Sequence, residues 1–366
     1  LRKIRDHRAA VSGPGEPVGG AAQAPAVRAF RTRLPILFLV RTTVNTSFRV
    51  IYPFLPGIAR GLGISLAAAS RLITLRMVAG MGAPLLGPLA DRYGRRRVME
   101  VALLLFVLAS LLLAGVGTLA AAAAAFTLYG VAKALYDPAV HAYVGDQVPY
   151  RERGRAVGVV ELSWSSAWLL GVPASGFLIE RFGWRAPWAV LAVLGLLGAW
   201  LTHAGLPPAR RPLARGPRRL FTASMVATWR DLLRRRSVAV LLLTSFLLTL
   251  AIEVPFIVYG AWLETAFGLS LSTLGLAPAL AGVMLMLLTF EFGLVSLLPL
   301  ATELAPEARA ALFSLNITAL SLSRVLAAIV GGWLWQWQSI ALHAGGGAAC
   351  ALAAALLLAR GMAEVA

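Results

Sequence analysis

Long apolar runs separated by short polar or charged turns fill most of this chain. They lie near 34–56, 66–90, 97–116, 119–145, 155–179, 186–206, 237–261, 274–302, 309–334 and 338–360. Runs near 20 residues cross a hydrocarbon layer of ~30 Å at ~1.5 Å per residue. The pattern therefore predicts an all-α integral membrane bundle of ten spans. Residues 1–33 are polar, basic and rich in Pro and Gly, without the apolar core of a signal peptide, and read as a disordered cytoplasmic tail. Residues 207–236 divide the chain into a six-span unit (34–206) and a four-span unit (237–366). Pro207, Pro208, Pro212 and Pro217 open this divider. Leu220, Phe221, Met225, Trp229, Leu232 and Leu233 then recur at helical spacing among arginines. That segment is either an amphipathic helix on the inner leaflet or a solvated basic linker.

Charge adds sidedness. The chain is 59% hydrophobic, with 34 Lys and Arg against 16 Asp and Glu, a formal +18. Its mean hydropathy is +0.77. The basic residues gather in the tail and in segments 92–97, 151–155 and 210–236. These are alternate loops of a spanning bundle, the distribution that holds positive charge on the cytoplasmic side. An even number of spans then puts both termini inside a bacterial-type cytoplasmic (inner) membrane, with lipid as the surrounding partner. No basic–aromatic groove points to nucleic acid. Cys350 is the only cysteine, and His7, His141, His203 and His343 lack ligand spacing, so no metal site is expected. No cofactor or nucleotide-binding loop is expected either. No nucleophile–base pair or paired carboxylate has the spacing of an enzyme.

The chain carries a damaged internal repeat. Pro53-Phe54 followed by Gly63-Ile-Ser65-Leu66 recurs as Pro255-Phe256 followed by Gly268-Leu-Ser270-Leu271, an offset of 202 to 205. Arg153 matches Arg309, and Ser175-Gly176-Phe177-Leu178 matches Gly331-Gly332-Trp333-Leu334, at an offset of 156. The offset falls by 49 residues, roughly two spans and their turn.

The turn Gly87-Pro-Leu-Ala-Asp91-Arg92-Tyr-Gly94-Arg95-Arg96 between the second and third runs resembles the loop signature of the major facilitator superfamily. Pro53-Phe-Leu-Pro56, Asp146-Gln-Val-Pro149 with Arg153-Gly154-Arg155, and Gly183-Trp184-Arg185 extend that resemblance over residues 34–360. The resemblance implies two six-helix bundles that rock about a midplane site. Family helices 1, 4, 7 and 10 would line the cavity, and helices 2, 5, 8 and 11 would form the contact between halves. By the repeat, the last four runs correspond to helices 7, 10, 11 and 12. Helices 8 and 9 are then missing, through a real deletion or an error in the sequence. Two signatures of drug–proton antiporters also differ: Phe126 stands four residues before Gly130, and the helix-5 motif is represented by Gly171-Val-Pro173-Ala-Ser-Gly176.

Charges within apolar runs are the functional candidates, because each costs several kcal/mol to insert. Arg41, Asn45 and Arg49 share one helix face, lining a cavity or snorkelling to the two surfaces. Lys133 and Asp137 are spaced i, i+4 near mid-membrane, as substrate groups or as a structural ion pair. Tyr129 and Tyr136 on or near that face fit either cavity or core. Glu161 lies near an inner gate, with Trp164 and Trp168 beyond it for stacking or packing. Arg76 lies deep in the outer half, as a partner of Glu253 or an outer-gate contact. Glu253 and Glu291 are candidates for proton coupling, with neutralisation by Arg324 or Lys133 as the structural alternative. By the resemblance, Gly87, Asp91, Arg92, Gly94, Arg95 and Arg96 form a conformational latch, in which Asp91 caps the helix beginning near Pro306-Glu307.

These residues point to secondary active transport of a small solute, in a chain expected to be monomeric. Cationic residues dominate the first-half cavity set and favour an anionic or zwitterionic substrate. Protons are the candidate coupling ion. Proton-coupled efflux of apolar compounds and a transport-inactive, degenerate or truncated relative are the alternatives.

Overall fold

The computed structural model describes residues 32–148, 150–208, 223–270, 309–337 and 339–362, with isolated positions between 271 and 308. Every described regular element is a helix. The first half contains α1 (Leu34–Arg49), α2 (Ile51–Leu62), α3 (Leu66–Gly80), α4 (Ala83–Tyr93), α5 (Arg95–Gly115) and α6 (Leu119–Gln147). It continues with α7 (Tyr150–Ser166), a π-turn at Ala167–Gly171, α8 (Val172–Phe182) and α9 (Ala186–Gly205). Then come α10 (Ala223–Arg234), α11 (Arg236–Phe267), α12 (Arg309–Leu334) and α13 (Ile340–Met362).

Among the described residues seven helical spans are long and apolar enough to cross a membrane, one of them running from α7 through the π-turn into α8, and an eighth is counted if α1 and α2 form one bent span. The other predicted spans differ for local reasons. The run at 34–56 continues to Leu62 but bends by 56° between α1 and α2. Pro53 has no N–H for the Arg49 carbonyl, so the ladder opens there. The run at 66–90 breaks at Met81-Gly82, because Pro84 likewise leaves the Gly80 carbonyl without its i+4 donor. Neither piece alone reaches spanning length. The run at 274–302 and the tail 1–31 lie outside the described residues, as do 209–222 of the divider. The amphipathic stretch of the divider is helical as α10, and its Leu232 is buried against Leu241 and Leu242 of α11.

The internal repeat has a structural counterpart. Gly63 ends α2 at φ 65°, and Gly268 ends α11 at φ 62°, both in the left-handed region that glycine enters without a Cβ penalty. After each, a serine oxygen accepts a backbone N–H: Ser65 from Ala68 at 3.2 Å and Ser270 from Thr273 at 3.4 Å. Packing repeats too. α1 packs on α7 and α9, and α11 packs on α12 and α13.

The halves meet where α2 packs on α11 and α3 packs on α12. Small residues set how closely. Gly260 of α11 lies against the Pro53 carbonyl of α2, where a Cβ would collide with backbone. A Cβ at Gly332 of α12 would stand 2.9 Å from the Ser70 side chain of α3. These contacts close the end carrying the Gly63 and Gly268 turns, called here the glycine-turn end. The opposite end carries Gly94–Arg97 and is called the basic end.

Gly260→Leu is expected to destabilise the protein by overpacking, about 1–3 kcal/mol. Gly345 of α13 has open space where a Cβ would stand, so Gly345→Leu should melt near the parent. Thermal melts of the purified variants check this, and equal melting temperatures would contradict the close-approach account.

Candidate functional site

A cavity of about 440 Å³ lies between the halves. From the first half it is lined by Phe48, Arg49, Tyr52, Arg76, Lys133, Asp137, His141 and Trp164; from the second, by Glu253, Ile317, Leu320, Ser321 and Arg324. Its polar groups come from kinked or small-residue-packed helices. The bend after Arg49 turns Tyr52 toward α11, and the contact of Gly130 (α6) with the Arg76 carbonyl (α3) brings those two helices together.

One network ties α1, α6 and α7. Arg41, buried at 2% exposure, pairs with Glu161 at 2.9 Å and with Asp137 at 3.5 Å. It also donates to the Val160 carbonyl at 3.1 Å. Lys133 pairs with Asp137 at 2.9 Å and donates to the Asn45 side-chain oxygen at 2.7 Å. The Asn45 amide then donates to Ser163 Oγ at 2.9 Å. His141 Nε2 lies 3.3 Å from Glu161, and both side chains are 41% exposed. The cavity thus opens toward the basic end.

Aromatic faces carry the remaining cations. The Lys133 ammonium sits 4.4 Å from the Trp164 ring and 4.9 Å from Phe48. The Arg49 guanidinium is 4.4 Å from Trp164 and 5.0 Å from Trp168. Cation–π attraction is strongest where water is excluded, as between these rings.

The cavity ends toward the glycine-turn side in a clasp across the halves. Tyr52 of α2 donates to one oxygen of Glu253 (α11) at 3.0 Å, and Arg324 (α12) holds the other at 3.1 Å. Arg60 and Glu264 pair at 2.8 Å nearer that surface. Glu253 therefore has Arg324 as its cation. Arg76 instead donates to the Phe48 carbonyl at 3.4 Å and stacks on the Phe48 ring at 4.2 Å.

At the basic end, Gly94 links α4 to α5 at φ 95°. Arg95 pairs with Asp146 at 3.4 Å, at the end of α6. Arg96 pairs with Glu100 at 3.1 Å and donates to the carbonyls of His203 and Leu206, at 3.3 and 3.0 Å. A cation at the C-terminus of α9 complements the helix dipole. Arg92 is exposed over Tyr93. These bonds lie within the first half. Gly87 and Asp91 lie on α4, and their side chains are not among those described. Glu291, Pro306 and Glu307 lie outside the described residues altogether.

The structure thus brings Arg41, Asn45, Lys133, Asp137 and Glu161 together, and separately Arg76, Glu253 and Arg324. Tyr129 and Tyr136 do not line the cavity; Tyr129 bonds Ser110 at 2.8 Å and packs against Phe106. Sequence reasoning missed Tyr52, Ser163 and His141. The first follows the bend, and the others meet their partners only through helix packing, so spacing along the chain carried no signal for them.

A bundle of long apolar helices around a charged cavity, closed at one end between two halves, has the architecture of an integral membrane protein. The sequence profile of the Major Facilitator Superfamily matches residues 37–296, and the chain belongs to that family, whose members are transporters rather than enzymes. The MFS-type transporter YceJ of Bacillus subtilis (strain 168) is 27% identical over 255 residues, 69% of this chain and 63% of that protein. The class C tetracycline resistance protein of Escherichia coli is 29% identical over 247 residues, 63% of this chain and 61% of that protein. The chain spans 33–63% of the length of the first three curated relatives it matches. A crystal structure of a mutant peptide transporter POT superposes with a TM-score of 0.71 over 91% of this chain and 94% of that one, at 16% identity. That likeness is one of fold.

Asp137 sits between two cations, so Asp137→Ala should cost about 1.5–3 kcal/mol, as for charged hydrogen bonds. Adding Lys133→Met to Asp137→Ala should recover part of the loss. A double-mutant cycle of thermal melts checks this, and strictly additive losses would show that the pair is not coupled.

Proposed function

We propose that the chain is a secondary transporter that moves a small anionic or zwitterionic solute by alternating access, working as a monomer in a bacterial-type inner membrane. One observation carries this reading: a charged cavity between two halves that is closed at one end by cross-half contacts and open at the other. With the basic loops cytoplasmic, both termini lie inside and the state described is inward-facing. The packing of α11 on α12 and α13, repeating that of α1 on α7 and α9, supports assigning these three to family helices 7, 11 and 12. With the 274–302 run as helix 10, the chain has ten spans in a 6 + 4 division at residues 207–236, without helices 8 and 9. Glu253, at the clasp, is our candidate for proton coupling, and Glu291 the second. Among the described lining residues, four cationic side chains (Arg49, Arg76, Lys133 and Arg324) face two carboxylates (Asp137 and Glu253). That excess supports an anionic cargo. The Gly94–Arg96 turn and Asp91 act in this reading as the inner latch.

A second reading is efflux of apolar compounds. It is favoured by similarity to a tetracycline resistance protein and to the puromycin resistance protein pur8 of Streptomyces alboniger, 36% identical over 173 residues. Arg49→Ala separates the two, since anion uptake should fail while drug resistance should not require Arg49. A transport-inactive relative is the third reading, and it would not change conformation.

Alternation is testable without a known substrate. Spin labels on Arg60→Cys and Glu264→Cys report the glycine-turn end; labels on Arg92→Cys and Arg360→Cys report the basic end. Both pairs are placed in a Cys350→Ala background. Two distance populations, shifting in opposite senses at the two ends, are expected. One fixed distance at each end, across acidic and neutral pH, would remove the transport reading in favour of an inactive relative.

A further inference from the structure

Arg76 is fully buried, at 0% exposure, lines the cavity, and forms no ion pair among the described residues. Its Nη1 donates to the Phe48 carbonyl, while Nε and Nη2 have no hydrogen-bond partner. These two nitrogens are neighbours on the side-on edge of the guanidinium plane. That edge presents two parallel N–H bonds, the fork that takes both oxygens of one carboxylate or phosphate. The other described cations are differently placed. Arg41 pairs with Asp137 and Glu161, Lys133 pairs with Asp137, and Arg324 is held by Glu253.

A buried guanidinium with its bidentate edge empty is strongly disfavoured unless an anion completes it. Stacking on Phe48 at 4.2 Å, with Tyr52 at 5.9 Å, compensates the charge only in part. The surrounding wall is largely apolar: Phe48, Met77, Trp164, Ile317 and Leu320. Such a wall suits an oxyanion carried on an apolar body better than a free, strongly hydrated phosphate.

We propose that Arg76 is the carboxylate-binding residue of the cavity, and that the cargo is a small monocarboxylate with an aromatic or branched apolar body. The carboxylate takes the Nε–Nη2 edge, and the body lies among Phe48, Trp164 and Leu320. This rests on reading the cavity as a solute site. It adds the chemical class of the solute and the residue that selects it.

The test uses the full chain in lipid nanodiscs. Benzoate is titrated against its neutral isostere benzamide and against inorganic phosphate, with tryptophan fluorescence and melting temperature as readouts. Benzoate is expected to bind and raise the melting temperature, while benzamide and phosphate do not. Arg76→Gln and Arg76→Met should weaken benzoate by about tenfold or more, the factor for losing a charged hydrogen bond. Arg76→Lys should keep part of the affinity. Ligand-free Arg76→Met should melt at or above the parent, because it removes an uncompensated charge. The proposal is overturned if Arg76→Gln binds benzoate as the parent does, or if ligand-free Arg76→Met melts well below the parent. Phosphate binding more tightly than benzoate, or no response to benzoate, phenylacetate or octanoate, would overturn it equally. Benzoate binding with fixed end-to-end distances would remove the transport reading alone. Alternation without carboxylate binding would remove this proposal alone.

Discussion

A charged side chain in the middle of a hydrocarbon layer has no bulk water to solvate it, and much of this bundle follows from how that demand is met. Arg41, Lys133, Asp137 and Glu161 come from three helices and satisfy one another over distances of 2.7–3.5 Å together with Asn45 and Ser163. Removing one member of such a set leaves a buried charge unmatched, so the members act as a unit. The unit fixes α1 against α6 and α7. With α1 fixed, the 56° bend into α2 determines where Tyr52 and Pro53 point. Both then meet α11, Tyr52 through Glu253 and Pro53 through its carbonyl against Gly260. The interior network of one half thus positions the contact with the other.

The two ends of the cavity are built from different interactions, and this difference suits a bundle that changes shape. At the glycine-turn end, small residues let backbones approach, and one carboxylate is shared between a tyrosine and an arginine from different helices. At the basic end, the described arginine bonds stay within the first half, on Asp146, Glu100 and the last carbonyls of α9. Opening the closed end means separating Tyr52 of α2 from Glu253 of α11, while Arg324 of α12 keeps Glu253 within the second half. A charged hydrogen bond is worth about 1.5–3 kcal/mol. A bound solute or proton that weakens one such bond can therefore shift the balance between two states differing by a few kcal/mol.

Much of the architecture was legible in the sequence, because hydropathy and charge act over whole runs of residues. Apolar runs gave the helices, and α5, α9, α12 and α13 lie within about two residues of their expected limits at almost every end. The Pro-Phe and Gly-x-Ser repeat reappears as matching left-handed caps at Gly63 and Gly268. Proline was less legible. Pro138 and Pro255 sit inside continuous helices, whereas Pro53 and Pro84 coincide with breaks. At Pro255 the Ala251 carbonyl lies where a Cβ at Gly347 of α13 would stand, a close approach that exists only after packing. The site divides in the same way. Lys133 with Asp137 is a local i, i+4 pair and was readable from spacing. Arg41 with Glu161, Asn45 with Ser163, and Tyr52 with Glu253 join positions 118 to 201 residues apart, about which a periodicity says nothing.

The same physics bears on whether the second half could work with only four helices. A helix in lipid satisfies its own backbone, so losing neighbours leaves no broken ladder, only an uncovered side-chain face. The outward faces of α7, the π-turn and α8 carry Leu162, Leu169, Leu170 and Phe177, all exposed and all compatible with lipid. What a membrane bundle cannot lose without cost is the counter-charge of a buried ion. Arg41, Lys133 and Arg324 already have theirs from α6, α7 and α11. Arg76 differs: it lines the cavity, and two of its guanidinium nitrogens have no hydrogen-bond partner. In the proposed transport reading, a solute that comes and goes would complete that fork.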